Sequence, residues 1–223
     1  MSKGKLIIIE AGDGSGKATQ TRKLYERLLA EGRKVHRVEF PDYEAEGSML
    51  VRMYLRGDFG DHAEDVNAYA ASTFYAADRY ASYRMKWQKY YAAGDIILAD
   101  RYTTSNMVHQ AVKLRDPEER EIFLAWLWDY EFCKLGLPVP DLVIFLDMEP
   151  EAADRLIEMR AAVTGKQDIH ERDKKYLHSC HAAYVELAKK YGWSQIRCSA
   201  DGNPLPVENI HAEVYAAVKK LLA

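Results

Sequence analysis

Cysteine is scarce in this chain, and its three thiols, Cys133, Cys180 and Cys198, stand far apart with no C-x-x-C pair. That spacing argues against a disulfide framework and reads as the reduced thiols of a cytoplasmic protein. Long apolar runs are missing too, and residues 1–5 lead straight into a strand pattern, so neither a signal peptide nor a membrane span is expected. Positive charge is not in excess: 31 Lys and Arg against 34 Asp and Glu leave −3, which excludes a global basic field for nucleic acid. Internal repeats and low-complexity tracts are absent. What remains is 223 residues, enough to bury a sizeable core as one α/β domain over 1–223.

Three closely spaced glycines stand out. The stretch Ile7-Ile8-Ile9-Glu10-Ala11-Gly12-Asp13-Gly14-Ser15-Gly16-Lys17-Ala18-Thr19-Gln20 passes from a β-branched run through a glycine-rich loop into a helical pattern. That order is the one a P-loop needs. The glycines let successive N–H groups point into one hollow, the helix start adds partial positive charge, and Lys17 can reach the β- and γ-phosphates of a nucleotide. The ATP-contacting set is therefore Gly12, Asp13, Gly14, Ser15, Gly16, Lys17, Ala18 and Thr19. Two positions depart from G-x-x-x-x-G-K-[ST]: Ala11 replaces the first glycine, and Ala18 replaces the hydroxyl residue that usually contacts Mg²⁺.

Further strands are expected at residues 35–40, 96–99, 141–147 and 195–198. Between them the pattern predicts helices after Lys17, over 48–55, continuously over 63–93, over 105–112, from Pro117 to about Cys133, after Pro150, over 171–191 and over 207–222. Residues 161–167 read as a break suited to a mobile lid, placed at about 160–171. Alternating strands and helices predict a P-loop NTPase fold: an α/β, mostly parallel five-stranded sheet with helices on both faces. The aromatics of the 63–93 helix read chiefly as core or subunit packing. His178, Cys180 and His181 crowd one helix but lack the partners of a four-ligand metal site.

Taken in order, several blocks resemble the thymidylate kinase family. The Glu10–Lys17 stretch is similar to its E-G-x-D-G-x-G-K loop, and Phe40-Pro41 to the segment beside the acceptor nucleotide. Tyr75-Ala76-Ala77-Asp78-Arg79 resembles F-A-A-D-R, Asp100-Arg101-Tyr102-Thr103-Thr104-Ser105 resembles D-R-Y-x-x-S, and Gly136 to Leu142 resembles G-L-P-x-P-D-L. The resemblance implies Mg²⁺-dependent phosphorylation of dTMP to dTDP by ATP, in a homodimer.

It also implies roles. Arg101 would grip the acceptor 5′-phosphate, and Asp13 would accept a hydrogen bond from the sugar 3′-hydroxyl, with a structural loop cap as the alternative. Tyr75 would stack on thymine, Arg79 would donate to a base carbonyl and Asn106 would read the base edge. Phe40, Pro41 and Ser105 would complete the acceptor site, and His109 stands near the sugar. With Ala18 lacking a hydroxyl, Mg²⁺ would draw on Asp13, Asp100, Asp168 and Glu171. The lid offers Arg160 first, and Lys166 second, as the cation meeting the transferred group; Lys17, Asp13, Arg101 and Arg160 form the catalytic set. Two other readings stay open: a kinase of another nucleotide or a deoxynucleoside (dUMP, UMP or CMP, thymidine), and a non-catalytic nucleotide-binding protein.

Overall fold

Residues Leu6 to Ala11 are all fully buried, as a strand covered on both faces must be, and they form the centre of the sheet. The computed structural model describes residues 3–60, 62–164 and 174–223, with the backbone alone at 63, 160–164, 174 and 175. In chain order it contains β1 (Lys5–Ala11), α1 (Lys17–Ala30), β2 (Val35–Glu39), α2 (Met49–Arg56), α3 (Ala68–Ser82), α4 (Gln88–Ala92), β3 (Ile96–Asp100) and α5 (Thr103–His109). There follow α6 (Pro117–Trp128), β4 (Leu142–Asp147), α7 (Pro150–Thr164), α8 (Lys174–Tyr191), β5 (Ser194–Arg197), a small β6 (Ser199–Ala200) and β7 (Asn203–Pro204) pair, and α9 (Val207–Leu222).

The main sheet has the order β2-β3-β1-β4-β5, and every pairing in it is parallel. Successive strand residues face opposite ways. Ile7, Ile9 and Ala11 join Leu24 and Leu28 of α1 and Val214 and Val218 of α9 in one core. Leu6 and Ile8 join Trp87, Tyr91 and Tyr102 on the other face. Glu10 shares that second face by the same alternation, and it is 0% exposed. β1 lies between β3 and β4, so the chain leaves it first toward one edge of the sheet and later returns to the other side. A ligand crevice opens at such a point, beyond the carboxyl ends of the strands.

The expected continuous helix over 63–93 is not what forms. Ala63–Asp65 is a 3-10 turn, Val66 is extended, and α3 starts after Asn67, whose side chain accepts from the Ala70 N–H at 2.9 Å. Asparagine is a strong helix N-cap, and it ends a helix from outside without any Gly or Pro. A π-helical segment, Tyr83–Trp87, then separates α3 from α4 and turns Trp87 into the core. Asp129–Lys134 is a second π segment, after α6. The break expected from residue 161 is also corrected: α7 continues through Thr164, in keeping with the helix preference of two alanines. The remainder of the expected lid, 165–171, lies outside the described residues.

Candidate active site

Gly14 and Gly16 both adopt φ 75°, the left-handed conformation that glycine takes without penalty. Gly14 is constrained further, because a Cβ there would lie 2.7 Å from the Ala153 carbonyl oxygen and 2.9 Å from Ile157 Cγ1. The Ser15 hydroxyl donates to the Gly12 carbonyl at 2.8 Å and closes the loop on itself. Ala11 explains its own departure from the motif: it is the last residue of β1, paired with Leu146 and fully buried, so nothing there calls for glycine. Ala18 and Thr19 lie in the first turn of α1, with Ala18 exposed. Lys17 Nζ forms an ion pair with Asp100 Oδ1. Burial, reinforced by the nearby Arg101 charge, lowers the Lys17 pKa.

Arg101 follows β3 directly and has φ 66°, unusual for a residue with a side chain. Its Nη2 donates to Asp13 Oδ1 at 2.8 Å, and its Nη1 donates to the Tyr184 hydroxyl at 3.3 Å and reaches His109 Nε2 at 3.4 Å. Burial opposes the Arg101 charge; polarisation toward Tyr184 and the carboxylates of Asp13, Glu10 and Asp100 outweigh it and raise its pKa. Glu10 lies beneath this guanidinium. It accepts from Thr104 Oγ1 at 2.6 Å, Ser105 Oγ at 2.9 Å, the Tyr102 N–H at 3.2 Å and the Tyr184 hydroxyl at 3.0 Å. Ser105 thus directs its hydroxyl at Glu10. On the other side of His109, Nδ1 meets the Tyr176 hydroxyl at 3.1 Å.

Beside Arg101 lies a cavity of about 400 Å³. Asp13, Lys17, Phe40, Pro41, Tyr75, Arg79, Asp100, Arg101, Ser105, Asn106 and His109 all line it, and Glu39, Tyr43, Leu55, Tyr102 and Gln110 join them. Phe40 is buried against Tyr102, with ring centroids 5.8 Å apart. Tyr75 packs edge-on to Tyr54, and burial pushes its phenol pKa above the ordinary value. Asn106 Nδ2 is held by the Ser72 carbonyl at 3.3 Å. Arg79 is gripped by Glu131 through Nε at 2.7 Å and Nη2 at 2.5 Å.

The remaining expectations fall differently. Arg160 belongs to α7 by its backbone, but its side chain, like Lys166, Asp168 and Glu171, lies outside the described residues. Asp13 and Asp100 both face the cavity, and among the described residues no three His, Cys, Asp or Glu side chains gather to hold an ion. His178, Cys180 and His181 point to separate partners: Asp154 at 3.5 Å, His109 at 3.6 Å and Asp147 at 2.7 Å. Among the described residues no helix is long and apolar enough to cross a membrane.

Sequence reasoning missed Glu131, Tyr176 and Tyr184, and it noted Glu10 only as part of the loop motif. Glu10 did leave a signal, a carboxylate closing a strand of apolar residues. Tyr184 left none, since a tyrosine within a helical pattern reads as packing.

Comparison with known proteins gives the same frame. The family model for thymidylate kinase matches residues 9–214 of this chain. A thymidylate kinase of Mycobacterium tuberculosis (strain ATCC 25618 / H37Rv) is 35% identical over 191 residues, covering 84% of this chain and 87% of its own. One of Leifsonia xyli subsp. xyli is 35% identical over 218 residues, 95% of this chain and 92% of its own. The Homo sapiens thymidylate kinase is 31% identical over 157 residues, 69% of this chain and 66% of its own. The matched span takes in the P-loop, the Arg101 segment and the lead into β4, and the chain belongs to the thymidylate kinase family.

Proposed function

We propose that this protein transfers the γ-phosphoryl group of ATP to the 5′-phosphate of dTMP, giving ADP and dTDP in a Mg²⁺-dependent reaction. The observation that carries the reading is the Asp13–Arg101 contact, because it joins the phosphate-binding loop to the floor of the cavity. ATP phosphates would lie along the loop amides and Lys17. The acceptor would lie across Phe40, Pro41 and Tyr75, with Arg79 and Asn106 toward its base, His109 and Asp13 toward its sugar, and Arg101 on its phosphate. An arginine fork suits a phosphate, and fixed donors in a site closed to water stabilise charge as it moves between oxygens.

Asp13, in the loop after β1, and Asp100, the last residue of β3, offer oxygen donors, and one or two carboxylates with phosphates and water suffice for Mg²⁺. They fit the ion, with Asp168 and Glu171 as further ligands by sequence. Bound there, Mg²⁺ would neutralise phosphate charge. Arg160, ahead of Lys166, is assigned the lid cation from the sequence. Arg160→Ala would then lower turnover steeply with nucleotide affinity little changed, and an unaffected rate would move the role to Lys166. We place the enzyme in the cytoplasm as a homodimer; the exposed Tyr69, Tyr80 and Met85 of the α3–α4 run support association.

The test is ADP release with ATP, Mg²⁺ and a panel of dTMP, dUMP, UMP, dCMP and thymidine. The reading calls for dTMP as the best acceptor and no turnover of thymidine, which has no phosphate for Arg101. ATP binding without turnover of any acceptor would leave a nucleotide-binding protein instead.

A further inference from the structure

Glu131 is a carboxylate with 0% exposure, carried on the π segment Asp129–Lys134. A charge withdrawn from water persists only where it is paired and hydrogen-bonded. The side-chain hydrogen bonds of Glu131 among the described residues go to Arg79, which lines the acceptor cavity, and to Thr103. Oε1 accepts from Arg79 Nη2 at 2.5 Å, and Oε2 accepts from Arg79 Nε at 2.7 Å and from Thr103 Oγ1 at 2.7 Å. Arg79 Nη1 also donates to the Tyr102 carbonyl at 3.4 Å. A guanidinium has five N–H groups in a rigid fork; these contacts engage one N–H on each of its three nitrogens and hold its plane, and the two left over belong to a residue that lines the cavity. Thr103 lies two residues after Arg101, so the carboxylate joins Arg79 to the chain segment that carries Arg101.

We infer that Glu131 is a positioning residue that fixes Arg79 relative to Arg101, and so makes the site select a pyrimidine nucleotide presenting a carbonyl, rather than an amino group, to Arg79. The inference rests on the acceptor assignment above. A carbonyl accepts from the held guanidinium, whereas the 4-amino group of cytosine would set donor against donor. A site with fixed polar groups discriminates strongly, because the wrong partner leaves those groups unpaired. A guanidinium free to tilt would discriminate less.

The test uses the full chain and steady-state kinetics with dTMP and dCMP, alongside thermal melting. Glu131→Gln should raise KM for dTMP about tenfold and keep kcat within about threefold. It should also lower the dTMP-to-dCMP ratio of kcat/KM about tenfold. In an Arg79→Met background the same change should leave that ratio where Arg79→Met put it, because the effect runs through Arg79. A lowered melting temperature with an unchanged ratio would overturn the inference and leave Glu131 as a packing element. Should Glu131→Gln not fold, Glu131→Asp keeps the charge and withdraws it by one methylene. It should lower the ratio at least about threefold, and an unchanged ratio there overturns the inference equally. A wild-type chain that phosphorylates no pyrimidine nucleotide removes the acceptor assignment and this inference together; a selective wild type with unaltered variants removes only the role of Glu131.

Discussion

Arg101 Nη2 and Asp13 Oδ1 stand 2.8 Å apart, joining a residue just beyond β3 to one within the loop that follows β1. The strands that carry them are neighbours, with Ile9 in register with Asp100. Strand order therefore brings the glycine-rich loop, through Asp13 and Lys17, and the Arg101 fork to one cavity. Arg101 reaches this position in a left-handed backbone conformation, and such conformations persist where surrounding contacts over-determine them.

Arg101→Lys should not behave as a conservative change. A lysine keeps the charge and loses the fork that spans Asp13 and Tyr184 and that is proposed to grip the acceptor phosphate. We expect kcat/KM for dTMP to fall about 10²-fold or more, measured by initial rates, with a much smaller change in the affinity for ATP.

Tyr184→Phe should act through Arg101 and Glu10 together. The hydroxyl stands between them, at 3.3 Å from the one and 3.0 Å from the other. Its loss removes a donor from a buried carboxylate, at a cost of about 1–3 kcal/mol in denaturant unfolding. KM for dTMP should rise while kcat changes little.

Gly14→Ala and Gly16→Ala separate backbone conformation from contact. Both residues have φ 75°, but a Cβ at Gly16 meets nothing within 4 Å, whereas one at Gly14 presses on the Ala153 carbonyl of α7. Gly16→Ala should cost about 1–2 kcal/mol for the left-handed backbone alone. Gly14→Ala should cost more, about 2–4 kcal/mol, and should disturb ATP binding as well.

Lys113 provides a test by pH. Its Nζ donates to the Tyr54 hydroxyl and the Val66 carbonyl, each at 3.0 Å, and burial lowers its pKa from 10.5 to about 8. Between those values the unfolded chain holds a proton at this residue that the folded chain has released. Raising the pH through that window therefore favours the folded state. Compared with wild type, Lys113→Met should lose this upward slope in melting temperature between about pH 8 and 10.5. A parallel pH dependence in the two proteins would contradict the assignment.

Much of the site could be read in the sequence because its parts are local. The P-loop glycines, the Asp100-Arg101 step and the Tyr75–Arg79 spacing each depend on neighbours a few residues away. The final helix, Val207–Leu222, follows from its apolar spacing in the same manner. What escaped is long-range or carried by polar detail. The Arg79–Glu131 pair spans 52 residues of chain, and the Tyr184–Glu10 contact spans 174. The start of α3 is hard to see in the sequence because the Asn67 side chain, not a Gly or Pro, caps the backbone there. The Asp201-Gly202 turn between β6 and β7, with both residues at positive φ, carries a known hairpin signal, but its flanking strands are too short to show a period.

The most direct measurement is phosphorus NMR of the protein with equimolar ATP and dTMP in the presence of Mg²⁺. Transfer between the two nucleotides predicts that dTDP and ADP appear together, one for one, with no inorganic phosphate. ADP and inorganic phosphate accumulating beside unchanged dTMP would contradict it, as would an unaltered spectrum under conditions where ATP is bound.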